Sequence, residues 1–189
     1  FGGIIKLIEG LLAAPPSPEV VGEIVAACRR ALDADLDIKR AYATAVEVAE
    51  HHPGDVGVII ALLLNRLTLQ PGEAAYLATG IIHAHLRGLC LEVMVSSDNV
   101  LRAGLTSKHV DPEGLVHCLE EGTSRAARVE PLVFNYSTDV FVPNREFALS
   151  VTQSSAADPD GVVLPGAGSR LLVCTSSAVT LVNEAGQSL

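Results

Sequence analysis

Residues 69–109, LQPGEAAYLATGIIHAHLRGLCLEVMVSSDNVLRAGLTSKH, gather most of the groups in this chain that could do chemistry. A turn at Gln70-Pro71-Gly72-Glu73 precedes His83, whose imidazole suits a divalent metal, and Glu92, which lies in a run with strand character. Arg102 and Lys108 add two cations, with Asp98 just before them. Two or three local cations suffice to hold one phosphate group, so the segment reads as a metal and anion site.

The elements that must position these groups change in texture along the chain. Ile4, Leu7, Ile8, Leu11 and Leu12 recur at helical spacing until Pro15 and Pro16 stop the run. Ser17, Pro18 and Glu19 form a helix start: a capping hydroxyl, a proline at the first helical position, and an acid near the positive end of the dipole. Val20, Val21, Ile24, Cys28, Ala31 and Leu32 continue that second helix, and Ile38, Ala41, Tyr42, Ala45, Val46 and Ala49 predict a third. His51-His52-Pro53-Gly54-Asp55 ends the helical part. Beyond it, short apolar segments between turns predict strands over 62–69, 74–78, 90–95, 147–151, 170–175 and 179–182. A short helix is expected over 111–121 and a loop over 153–169, which is rich in Ser, Ala, Asp, Pro and Gly.

Composition narrows the function classes. The 189 residues are 49% hydrophobic and 19% charged, the profile of a globular chain with a real core. A net charge of −9 argues against a nucleic-acid partner, because neutralising a phosphate backbone needs clustered Lys and Arg. Cys28, Cys90, Cys118 and Cys174 are too widely spaced for a cysteine zinc site and read as free thiols of a reducing cytoplasm. No membrane partner is expected: the longest apolar run, 56–64, is about half of what a bilayer needs. The only methionine is Met94, and the last residues follow a hairpin turn at 183–186 without an answering strand. Both features lead to the expectation of a truncated chain.

Gly72-x5-Ala78-x-Gly80-x-x-His83 is close to the G-x5-P-x-G-x-x-H box of cupins, with Ala78 where proline is usual. A longer set of motifs falls in order: Pro53-Gly54-Asp55, Leu63-Leu64-Asn65, 69–74, His83-Ala84, Glu92 and SDNVLRAGLTSK at 97–108. Over about residues 53–112 the chain resembles type I phosphomannose isomerases. The resemblance implies an α+β fold, a cupin-type β jelly roll with a helical insertion subdomain. Residues 1–52 would end the insertion, 53–135 would form the second half of the catalytic jelly roll, and 136–189 would begin a C-terminal jelly roll.

It also implies a reaction, the zinc-dependent interconversion of mannose 6-phosphate and fructose 6-phosphate through an enediol, with a sugar phosphate as partner. His83 would be a zinc ligand and Arg102 the cation beside the reacting carbons, where a guanidinium steadies an enediolate. Glu92 is the candidate for proton transfer, on the expectation of a partly buried carboxylate. Lys108 would contact phosphate or hydroxyl groups, and Asp98 would orient Arg102. His85 stands where the family usually has tyrosine, which would alter substrate packing or add a nitrogen ligand. The family's other zinc ligands lie upstream of the matched stretch, so with one protein ligand counted, the chain alone is expected to bind zinc poorly. A non-catalytic cupin relative that binds a sugar phosphate is the alternative, and the sequence sets no oligomeric state.

Overall fold

The computed structural model describes residues 2–33, 39–97, 100–120, 126–158 and 160–188. It is an α+β chain in which helices build the core and two small antiparallel sheets follow. Helix α1 spans Gly2–Ala13, α2 Pro18–Leu32 and α3 Lys39–His51, in line with the sequence periodicity. Ser17 caps α2 by accepting from the Val20 N–H at 3.5 Å, and Arg29 and Arg30 sit in the last turn, where their charge suits the helix dipole.

The apolar run beyond Asp55 forms a helix, α4 (Gly57–Ala61), rather than leading into a strand. A run apolar on every side carries no periodicity to separate helix from strand; tertiary burial decides. Here α4 is shared by two apolar clusters. Val58 and Ala61 pack with Val21, Val25 and Cys28 of α2 and Ala45 and Val48 of α3. Ile60 packs with Ile8 and Leu12 of α1 and Leu115 of α5 (Pro112–Cys118). Residues 62–69 carry no strand: 62–63 turn out of α4 and 65–69 run on without regular structure.

The predicted strand at 74–78 is observed as β1 (Ala74–Tyr76), paired with β2 (Ala127–Val129) in the register Ala75 opposite Arg128. Strands β3 (Leu132–Asn135), β4 (Thr138–Phe141) and β5 (Leu149–Thr152) make a three-stranded meander. The Thr138 and Thr152 hydroxyls meet across it at 3.0 Å, satisfying a polar pair at a buried position. Only β5 of this meander lies where the periodicity placed a strand. Segments 90–95 and 170–175 are not strands among the described residues, and 179–182 contributes only the bridge Val182 to Ser188. A strand exists by its ladder, and these apolar segments have no partner there; Leu89, Leu91 and Leu171 are exposed. No described helix is long and apolar enough to cross a membrane.

Candidate metal centre

The segment carrying His83 leaves β1 through a turn at Gly80, whose φ of +81° is a left-handed conformation. A side chain there would also collide: an added Cβ would lie 2.6 Å from the Cys118 carbonyl oxygen. The Gly80 carbonyl accepts from Glu120 N at 3.2 Å, so the turn rests against the end of α5. Asp111 caps that helix through the Gly114 N–H at 3.0 Å, with Pro112 at the first position.

From this turn the chain alternates. Ile82 packs on the α1–α4–α5 cluster and Leu86 on the α2–α3–α4 cluster, while His83 and His85 face outward. Residues two apart in an extended chain share a face, which brings the two rings to a centroid separation of 6.1 Å at 84°. Arg87 ties the segment to α3, its Nε 3.3 Å from Glu47 Oε1. The other oxygen of Glu47 lies 2.6 Å from Arg66 Nη1. Glu47 thus fastens two loops to one helix.

Glu92 returns to the histidines. Its Oε1 lies 3.5 Å from His83 Nε2 and its Oε2 3.6 Å from His85 Nε2. One donor atom from each of the three residues falls within 4.8 Å of the others, close enough for the three to hold a metal ion. His83 Nδ1 lies 2.9 Å from the Ile81 carbonyl oxygen, and His85 Nδ1 lies 3.5 Å from the Cys90 sulfur. A carbonyl can only accept, so Nδ1 of His83 is the donor in that contact, and a neutral ring in this tautomer would have its Nε2 lone pair open to a metal. The donor set, two imidazoles and a carboxylate, suits zinc and neighbouring transition metals.

The remaining predicted residues lie on the following segment. Arg102 is half-buried, and its Nη1 donates to the Val100 carbonyl at 3.2 Å. Lys108 is exposed, and its backbone N–H donates to Thr106 Oγ1 at 3.1 Å. Asp98 lies outside the described residues, so its predicted role in orienting Arg102 is carried by no observation. Glu92 differs from the expectation of a partly buried carboxylate: its side chain is 48% exposed. The cluster offers three potential donor side chains, at the spacing His83-x-His85-x6-Glu92, where the sequence counted one ligand.

A further group, absent from the predicted set, positions the Arg102 segment. Asp55 Oδ1 accepts from Gly57 N at 2.7 Å, closing an Asx turn at the start of α4, and from Leu105 N at 3.0 Å. Gly104 passes so close that an added Cβ would lie 2.8 Å from the same oxygen, and Leu105 takes a φ of 55°. Leu101 and Ala103 anchor this segment on one cluster and Leu105 on the other.

No family model matches the chain. A probable mannose-6-phosphate isomerase of Caenorhabditis elegans is 35% identical over 140 residues, 73% of this chain and 34% of that protein. The mannose-6-phosphate isomerase of Escherichia coli is 35% identical over 136 residues, 71% of this chain and 34% of that protein. Among solved structures, variants of phosphomannose isomerase from Salmonella typhimurium match with TM-scores of 0.63 and 0.64 at 35% and 34% identity. They cover 77% and 78% of this chain, and 38% of each matched chain. The chain spans about a third of the length of the curated relatives it matches. Over the matched part, in sequence and in backbone path, it is a type I phosphomannose-isomerase-like protein.

Proposed function

We propose that the chain is part of a zinc-dependent aldose–ketose isomerase that interconverts mannose 6-phosphate and fructose 6-phosphate. The observation that carries this reading is the coincidence of two independent facts. The relatives are named mannose-6-phosphate isomerases, and the residues singled out by the resemblance include His83, which lies in the three-donor cluster. On this reading the small antiparallel sheets are portions of cupin jelly rolls. The catalytic one would take in residues 53–135 and the last would begin at 136, after a helical insertion ending at 52.

Isomerisation moves a proton between neighbouring carbons through an enediolate, so the site needs a proton carrier and a means of holding negative oxygen. Zinc, when bound, supplies Lewis-acid polarisation of the carbonyl. Glu92 is the carboxylate beside the histidines and is assigned the proton transfer. Arg102 is a permanent cation on a segment fixed to both apolar clusters, which suits it to steadying the enediolate. Lys108, exposed on the same segment, is assigned to the phosphate or a sugar hydroxyl.

The test is turnover of mannose 6-phosphate by the full-length protein, read as fructose 6-phosphate formed with chelator and after zinc is returned. Arg102→Ala should then lower kcat about 10²- to 10³-fold, the scale of a lost charge-stabilising donor.

A further inference from the structure

We infer that Asp55 is a positioning residue for the isomerisation: through the Leu105 N–H, its carboxylate sets where Arg102 stands against the reacting carbons. The inference rests on the reading of Arg102 given above and adds to it a residue from the turn that opens α4.

Arg102 needs support from outside its own segment. Among the described residues, its guanidinium bonds to the Val100 carbonyl, two positions back on the same stretch of chain. That bond travels with the segment, so whatever places the segment places the charge. Leu101 and Ala103 seat it on the α1–α4–α5 cluster and Leu105 on the α2–α3–α4 cluster. Apolar burial is non-directional, whereas a hydrogen bond fixes both distance and angle. The 3.0 Å bond from Leu105 N to Asp55 Oδ1 supplies that fixed reference.

Asp55 is itself held. The same Oδ1 accepts from Gly57 N at 2.7 Å, on the first residue of α4, so the carboxylate is tied to the helix that both clusters share. The two backbones cross without slack. A Cβ added to Gly104 would lie 3.0 Å from Gly57 N, and one added to Gly57 would lie 2.6 Å from Leu105 Cγ. Leu105 takes a φ of 55°, a left-handed conformation that a leucine keeps only where its surroundings enforce it. Here the Asp55 bond and the apolar seat enforce it together, three residues from the cation assigned to the chemistry. The consequence is a matter of rate. A donor steadies an enediolate oxygen only from hydrogen-bond distance, and a displacement of about 1 Å caused by a remote change can cost about 10²-fold.

The experiment measures kcat and KM for mannose 6-phosphate in the zinc-loaded full-length protein, below the unfolding transition of every variant. Asp55→Ala should lower kcat about 10- to 10²-fold and move KM far less, the mark of an interaction made in the transition state. Asp55→Asn, whose amide oxygen can accept both bonds, should recover most of the loss. In an Arg102→Ala background, Asp55→Ala should cost little more, since a residue acting through Arg102 has nothing left to place. Phe141→Leu, buried in β4 of the meander, should lose stability and keep kcat.

A folded Asp55→Ala with parent-like kcat would overturn the inference. So would an Asp55→Asn as slow as Asp55→Ala, losses at Asp55 and Arg102 that multiply, or a matching loss of kcat in Phe141→Leu. A parent without turnover removes the isomerase reading, and the inference is then read from Arg102 itself by nuclear magnetic resonance. Its Nε–H signal, identified by its absence in Arg102→Ala, should shift in Asp55→Ala and hold its place in Asp55→Asn. An unmoved signal in Asp55→Ala overturns the inference whatever the turnover.

Discussion

Asp55 and Leu105, fifty positions apart, are joined by a hydrogen bond of 3.0 Å from the Leu105 N–H to the Asp55 carboxylate. The same oxygen holds the first turn of α4, so the segment carrying Arg102 is referenced to the helix at the centre of the core. Asp55→Ala leaves two N–H groups without their acceptor and should cost about 1–3 kcal/mol by urea unfolding. Asp55→Asn keeps an oxygen in place and should cost less. Equal losses in both variants would show that the charge, rather than the acceptor, does the holding.

Two glycines should respond to the same substitution with opposite signs. Gly80→Ala forces a side chain into a left-handed turn and against the Cys118 carbonyl, and should destabilise by about 1–3 kcal/mol. Gly10→Ala falls on an open face of α1 with nothing within 4 Å and should stabilise by about 0.5–1 kcal/mol. Thermal unfolding of the pair checks both. Parent-like stability in Gly80→Ala would mean that the turn under His83 does not rest on α5.

Stability on the acid side should depend on Glu73. Its carboxyl is held below the ordinary range, first by the Gln70 N–H at 2.7 Å and then by Arg128, which also pairs with it across β1–β2. The folded value lies below the unfolded one, so between them the unfolded chain binds the extra proton. The contribution is therefore fully present above the unfolded carboxylate range and is lost as pH falls through the lowered folded value. Glu73→Gln should flatten the acid limb of a stability–pH curve. An unchanged limb would sink the assignment.

Thiol chemistry should divide the four cysteines. Burial pushes the Cys28 thiol up and seals it among α2, α3 and α4, whereas Cys90, Cys118 and Cys174 are exposed. A disulfide reagent added to the folded chain should label three sulfurs quickly and Cys28 only as the core opens. Four equal rates would contradict the packing of α2 on α3.

Helices α1, α2, α3 and α5 are legible because each announces itself locally. Ser17-Pro18-Glu19 starts α2, Asp111-Pro112-Glu113 starts α5, and apolar spacing marks the buried faces. α4 was hidden because Val56 to Leu64 are apolar on every side, and only the two clusters flanking it select a helix. Segments 90–95 and 170–175 read as strands but form none, for the converse reason: apolar content suits a strand, but pairing is non-local. At the site, His83, Glu92 and Arg102 follow from motif resemblance. His85 stands out as a departure from the family pattern, yet its convergence with Glu92 depends on how Ile82 and Leu86 are seated. Asp55 was visible as a turn former. Its bond to Leu105 was not, because nothing local encodes a contact across fifty residues.

The measurement that bears most directly on the whole account is a coupled assay of mannose 6-phosphate conversion by the full-length protein, stripped by chelator and then reloaded with zinc. The account predicts turnover that disappears with the metal and returns with it. A folded, zinc-loaded protein that binds mannose 6-phosphate without converting it would contradict the isomerase reading and leave a sugar-phosphate-binding relative in its place.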